Sequence, residues 1–355
     1  MLYCRSIKVI NPQINVNIIE GIYILNIHVI KGENTMTNNY PKKLNERIYI
    51  IDGFDMGESE RTGTYVIDEL ELTIVETGPS PSVKYVKSGL ELLGFSLDQV
   101  KYIIVTHIHL DHAGGAGLLM EECPNAHLVV HPKGVRHLAE PTRLIAGAKA
   151  VYGTKFEELF NPIIPIPQER MVIKNDGDIL KIGDTCILKF FDTPGHANHH
   201  FSIYDPVSNG MFTGDTVGVR YEQLVSDGVD FFLPSTSPNQ FNPVAMQRAI
   251  ELFAQMNLQS IYYGHYGMTN SPEEALSQVS MWLNIFMAEA ETVYEEDKGY
   301  EELASRLEKL VKKHLGNEGI SENHEVFRLI QLDLEVSSMG IIDYLTKQDK
   351  AKADY

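Results

Sequence analysis

The chain has 355 residues, 43% hydrophobic and 22% charged, the composition of an ordinary globular protein with room for one or two domains. A formal net charge of −18, from 30 basic against 48 acidic residues, argues against a nucleic-acid or anionic-membrane partner and leaves a small-molecule substrate as the expected one. Three widely spaced cysteines, Cys4, Cys123 and Cys186, make no disulfide framework or cysteine zinc site and fit a cytoplasmic protein, and the apolar runs are too short to span a bilayer.

Residues 1–35 hold nine isoleucines and frequent asparagine, followed by Met36 and a polar stretch. They are expected to be an extension outside the core fold, upstream of a start at Met36. An added β-hairpin is the rival reading, given the strand-like composition. A catalytic domain is expected over 36–271 and a helical segment over 272–355.

Residues 46–77 read as strands and turns, with a hairpin of Thr64–Ile67 and Leu70–Val75 about Asp68-Glu69. A helix over 81–93 closes at Gly94, and Ser96 caps the next turn. Val100–Val105 is a strand, and Leu128–Val130 another. Residues 133–160 read as mostly helical, forming an insertion over about 133–168 that ends in Pro162, Pro165 and Pro167. Strands follow at Ile187–Phe191, Phe201–Tyr204 and Met211–Thr213, with Asn209-Gly210 turning a hairpin. A helix at about 243–257 leads to the strand Ser260–Tyr263, and helices are expected at about 272–296, 300–314 and 322–336. This order suggests two αβ halves packed as a sandwich, with an insertion and a helical tail.

The chemistry concentrates just after the strand 100–105, in His107-Ile108-His109-Leu110-Asp111-His112. Imidazole nitrogen and carboxylate oxygen are ligands for zinc and similar metals. Four such groups in six residues exceed what one catalytic metal needs, so two metals are the economical reading. Three later candidates each follow a strand and are preceded by glycine: Gly195-His196, Gly214-Asp215 and Gly264-His265. Ligands at strand ends form a rim over a rigid sheet.

This ordered set resembles the metallo-β-lactamase superfamily, in the branch of hydroxyacylglutathione hydrolases and N-acyl homoserine lactonases. The resemblance covers roughly residues 46–270 and implies a four-layer αββα sandwich with its site at one edge. It implies that His107, His109 and His196 hold one metal, that Asp111, His112 and His265 hold the other, and that Asp215 bridges them. Zinc is the expected ion, with iron and manganese as alternatives. His200 matches the second histidine of the family's Gly-His-x-x-Gly-His pattern, though Asn198 and His199 alter the residues between; it is expected to support rather than ligate.

The expected function is hydrolysis of a carbonyl ester, thioester or lactone by a metal-bridging hydroxide. Asp111 is expected to orient the hydroxide and pass a proton to the leaving group. Tyr221 and Tyr266 are candidates to donate a hydrogen bond to the oxyanion. Arg136, His137, Arg143 and Lys149 of the insertion are candidates to meet an acidic substrate, against the plainer reading of a solvated helix face. Gly218 stands where many lactonases carry tyrosine, three residues after Asp215. The alternatives are phosphoester hydrolysis and a di-iron redox or oxygen-binding protein on the same fold. The helical tail could pack on the core, cap the pocket or form a homodimer face.

Overall fold

The computed structural model describes residues 40–353 and, before them, two short strands. It divides into two units, residues 1–38 and 39–355. In the first, β1 (Val16–Ile19) pairs antiparallel with β2 (Ile22–Leu25). Cys4 and the expected start at Met36 lie outside the described residues.

The second unit opens with seven strands, β3 (Lys42–Lys43), β4 (Ile48–Asp52), β5 (Gly63–Ile67), β6 (Leu72–Val75), β7 (Val100–Ile104), β8 (His127–Val130) and β9 (Met171–Ile173), which form one sheet in chain order. Pairing is antiparallel up to β6 and parallel beyond it. Between them lie α1 (Val83–Leu92), α2 (Leu110–Ala113) and α3 (Ala116–Glu122), then the inserted α4 (Val135–Ala139), α5 (Thr142–Tyr152) and α6 (Phe156–Phe160). The chain continues with β10 (Ile179–Lys181), β11 (Ile187–Asp192), β12 (Phe201–Asp205) and β13 (Gly210–Gly214). A separate pair follows, β14 (Val219–Arg220) with β15 (Phe232–Leu233). After α7 (Pro243–Ala254), β16 (Ser260–Tyr263) and β17 (Met268–Thr269) complete the second sheet, ordered β10-β11-β12-β13-β16-β17. Three helices end the chain: α8 (Pro272–Glu295), α9 (Tyr300–Asn317) and α10 (Val326–Ala353).

Strand alternation sorts the side chains into layers. In β4, Ile48 and Ile50 face the other sheet, while Ile51 faces α1. The core between the sheets joins residues such as Ile67, Val75 and Ile104 to Leu188, Phe190 and Phe212. A second core lies between the first sheet and Val86, Leu90 and Leu119 of α1 and α3. A third joins the second sheet to α7–α10 through Met211, Ile261, Phe253 and Phe286. The result is helices, sheet, sheet, helices: the αββα sandwich.

The differences from the sequence expectation have local causes. Strands β9, β10 and β17 and the pair β14–β15 are two or three residues long, too short to show a period. The last helix starts at Val326 rather than near 322, because the His324 ring accepts the Val326 N–H at 3.2 Å. It runs on past 336 to Ala353, through residues that include no glycine beyond Gly340 and no proline. Among the described residues, no helix is long and apolar enough to cross a membrane.

Phe190 is fully buried between the sheets, 5.0 Å edge-on from Phe201. Phe190→Ala should cost about 3–5 kcal/mol of stability, measured as the shift of the urea unfolding curve.

Candidate metal centre

The chain leaves β7 at Ile104, bends at Thr106 and His107, and is extended at His109, which immediately precedes α2. That path brings the rings of His107 and His109 together, with centroids 4.6 Å apart. The first turn of α2 then swings Asp111 and His112 toward the same point. The second sheet supplies the rest from three strand ends. His196 follows β11, Asp215 comes directly after β13, and His265 lies two residues past β16.

All seven sequence-predicted ligands meet here. Ligand atoms of His107, His109 and His196 lie within 4.8 Å of one another, as do those of Asp111, His112 and His265. Asp215 lies between: its Oδ1 is 3.3 Å from His112 Nε2, and its Oδ2 is 3.2 Å from His265 Nε2 and 3.7 Å from His196 Nε2. Four buried atoms, His107 Nε2, both ring nitrogens of His112 and Asp215 Oδ1, have no hydrogen-bond partner among the described residues. Each unsatisfied buried group costs about 1–3 kcal/mol. The donor chemistry and these orphaned atoms fit divalent cations.

Electrostatics point the same way. Burial, reinforced by the neighbouring imidazoles His112 and His196 respectively, holds His107 and His109 well below the usual histidine range. Burial also acts to lower His112, but Asp215, Asp111 and Glu76 outweigh it and raise that ring. Asp215, despite burial, is held well below the carboxylate range by His265, His112 and His196. Burial thus favours neutral His107 and His109, and the histidines favour an ionised Asp215, the ligand forms, whereas the carboxylates favour the charged form of His112 and His265, whose protons a bound cation would replace.

A second shell of contacts aims these groups. Thr106 Oγ1 lies 3.1 Å from His107 Nδ1 and donates to Glu76 Oε1, which in turn lies 3.7 Å from His112 Nδ1. Glu76 is buried and takes a left-handed backbone, φ 67°. His200 is fully buried; its Nε2 accepts the Asp215 N–H at 3.3 Å, and its Nδ1 lies 3.0 Å from Thr193 Oγ1. That is the supporting place expected for it. The Ser235 carbonyl accepts from His196 Nδ1 at 3.0 Å, turning Nε2 toward the centre, and Ser235 Oγ donates to Asp215 Oδ2 at 3.1 Å.

The glycines before the ligands have a steric cause. A Cβ on Gly214 would sit 2.4 Å from Thr106 Oγ1 and 2.5 Å from His200 Nε2, and φ there is +49°. One on Gly264 would sit 2.6 Å from His112 Cε1.

A cavity of about 420 Å³ opens over His109, Asp111, His196, Asp215 and His265. Its walls come from α5, from the loop 234–240 and from Asp333, Val336 and Ser337 of α10. His137 and Arg143 of the insertion line it. Arg136 is exposed, and Lys149 pairs with Glu157 at 2.8 Å on the outer face. Tyr221 lines the cavity, but its hydroxyl donates to Asp333 Oδ2 at 3.0 Å. Tyr266 packs into the core between the sheets instead. Arg61, Tyr152, His199 and Asp333 also line the cavity, and no sequence motif marked them.

Two overlapping ligand sets at the edge of an αββα sandwich, open to a cavity, define an enzyme class, that of the metal-dependent hydrolases. Residues 61–256 match the family model of the metallo-beta-lactamase superfamily, and the chain belongs to that superfamily. It is 26% identical over 197 residues to the metallo-beta-lactamase fold-containing protein ST1585 of Sulfurisphaera tokodaii, covering 52% of this chain and 67% of that one. The crystal structure of ST1585 superposes with a TM-score of 0.57 at 20% identity, over 84% of this chain and 98% of that one. A hydroxyacylglutathione hydrolase of Legionella pneumophila is 28% identical over 118 residues, 33% of this chain and 34% of the relative. The acyl-coenzyme A thioesterase MBLAC2 of Gallus gallus is 25% identical over 178 residues, 46% of this chain and 56% of the relative. The last two are thus matched over little more than half their length at most.

Two substitutions test the geometry. Gly264→Ala should abolish high-affinity metal binding while the protein still folds, read by metal analysis after gel filtration beside circular dichroism. Glu76→Gln should weaken metal affinity by about 10–100-fold, measured by competition with a chromophoric chelator; unchanged affinity would remove Glu76 from the supporting shell.

Proposed function

We propose that this protein is a binuclear metal-dependent hydrolase of carboxylic thioesters or related esters, with zinc as the working ion. The observation that carries the reading is Asp215, whose two oxygens reach His112 and His265 on one side and His196 on the other. One set would be His107, His109 and His196, and the other Asp111, His112 and His265, with Asp215 common to both. A bound divalent pair supplies an acidified water and polarises a carbonyl oxygen.

The chain's own residues supply the rest. Asp111 is the least buried of the carboxylates, its side chain 23% exposed toward the cavity. Its Oδ2 lies 3.6 Å from both His112 Nε2 and His265 Nε2. With one oxygen facing the histidines, the carboxylate, open to the cavity, would hold the proton lost by the attacking water and return it to the leaving group. Tyr152 enters from α5, and we assign its hydroxyl as donor to the reacting carbonyl oxygen. Tyr221 is excluded from that role because its proton is committed to Asp333. Leu144, Ala148, Val151 and Phe160 give one wall an apolar character suited to an acyl chain. The thioesterase named among the relatives supports the choice of bond.

The test is a panel of acyl thioesters, lactones and phosphate esters, run with metal-free, zinc-loaded and manganese-loaded protein. The expected result is two metals per chain, with turnover fastest on a thioester. Asp215→Ala should lower both the metal count and kcat, the latter by more than about a hundredfold, beyond the loss typical of an outer-shell partner. Full activity in Asp215→Ala would overturn the two-metal reading. Bound iron with a visible absorption band and no turnover would point to the redox alternative.

A further inference from the structure

The cavity has a second built feature, away from the metal ligands. Arg61 lies in the loop between β4 and β5, with its side chain 9% exposed. It points at two carboxylates. Its Nη2 donates to Asp333 Oδ1 at 3.1 Å, and its Nε lies 3.6 Å from Asp55 Oδ2. The other oxygen of Asp333 accepts from the Tyr221 hydroxyl at 3.0 Å. Arg61, Tyr221 and Asp333 all line the cavity that also exposes Asp111 and His265. None of the three belongs to either set of candidate ligands.

The acceptor count is informative. A carboxylate offers about four lone-pair positions, and Asp333 uses two of them here. Tyr221 gives its only proton to Asp333, so its oxygen can only accept further. At this end of the cavity, away from His137 and Arg143 of the insertion, the charge is also unbalanced, with one guanidinium facing two carboxylates. A third carboxylate brought here would face like charge in a partly desolvated site. A group that donates hydrogen bonds would instead find acceptors waiting, already aimed.

The position is rigid. Val326, Ile330, Leu334 and Ile341 seat α10 in the core. One turn beyond Asp333, the Ser337 carbonyl accepts from Thr236 Oγ1 at 2.6 Å, tying the helix to the loop over the centre.

We propose that Asp333 and Tyr221 form an acceptor subsite that selects substrates carrying a hydrogen-bond donor, an ammonium or a hydroxyl, on the acyl side of the scissile bond. The terminal helix α10 is thereby part of the substrate site, and Arg61 is the positioning residue that fixes Asp333. The inference rests on the carbonyl-hydrolase reading above.

The test uses N-acetylcysteamine thioesters in near-isosteric sets: propanoyl and pentanoyl chains ending in ammonium, hydroxyl, methyl or carboxylate. In the chain length that turns over faster, the ammonium or hydroxyl member should exceed the methyl member in kcat/KM by at least about tenfold, the effect of one good hydrogen bond. The carboxylate member should be poorest. Whether ammonium or hydroxyl leads distinguishes charge from hydrogen bonding alone. Asp333→Asn should bring the donor-to-methyl ratio to within about threefold of unity, with melting temperature and metal content measured alongside. Tyr221→Phe should lower the same ratio, and it decides the matter if Asp333→Asn fails to fold. A wild-type ratio near one, a preference for the carboxylate, or a ratio unmoved in both variants would overturn the proposal. Uncleavable N-ethyl amides of the same acids, titrated calorimetrically into the metal-loaded protein, should follow the same order. If no thioester is hydrolysed, the carbonyl-hydrolase reading fails, while the calorimetric order still decides the subsite: donor over methyl supports it, and no preference overturns it.

Discussion

Five imidazoles and two carboxylates crowd one edge of this sandwich, and four of their buried atoms have no hydrogen-bond partner among the described residues. Such a cluster opposes folding on its own. Desolvated histidines repel protons, desolvated carboxylates seek positive charge, and orphaned acceptors each cost stability. Much of the surrounding structure is the framework that holds this cluster in place. The candidate ligands sit at the ends of β7, β11, β13 and β16, each of which is hydrogen-bonded to a strand on either side. Glu76, Thr106, His200 and Ser235 hold the rings and Asp215 from behind. Gly214 and Gly264 stand where the side chains of Thr106 and His200, and of His112, come too close for a Cβ.

That constraint also explains which parts of the site were legible in the sequence. The six-residue cluster from His107 to His112 is local, so its spacing and the following helix turn can be read directly. His196, Asp215 and His265 were legible through Gly-ligand pairs at strand ends, and the steric role of Gly214 and Gly264 gives that pattern a physical cause. The two sheets were legible from their longer strands, whereas the edge strands β9, β10 and β17 are too short to carry a period. Glu76 left a weak trace, an acidic residue between a β-branched strand and Thr77-Gly78. Its left-handed backbone and its place between His107 and His112 belong only to the folded chain.

The cavity was far less legible, because its recognition groups are tertiary. Arg61 and Asp333 are 272 positions apart, and Tyr221 and Asp333 are 112 apart. Each residue alone is ordinary in its own segment. Tyr221 was singled out from the sequence as an oxyanion donor, and only the contact with Asp333 shows where its proton goes. Tyr266 was an equal candidate until the fold placed it between the sheets. A phenol's chemical role depends on which neighbour takes its hydrogen bond, and sequence spacing carries no such information.

The two helical walls differ in a way that divides their labour. Helix α5 has no fully buried residue; Leu144, Ile145, Ala148 and Tyr152 pack, partly buried, against Leu110, Phe156 and Phe160, and Leu144, Ala148, Val151 and Tyr152 also line the cavity. Helix α10 is seated by a row of buried residues and tied to the loop 234–240. Its Asp333 is thus held in place together with the Tyr221 hydroxyl that donates to it, and a ligand meeting them has little ordering left to do. Apolar contact thus falls to one wall of the cavity and hydrogen-bonding groups to the other. The candidate metal-ligand residues open onto the same cavity from separate strand ends, so the walls can differ without any change in that edge.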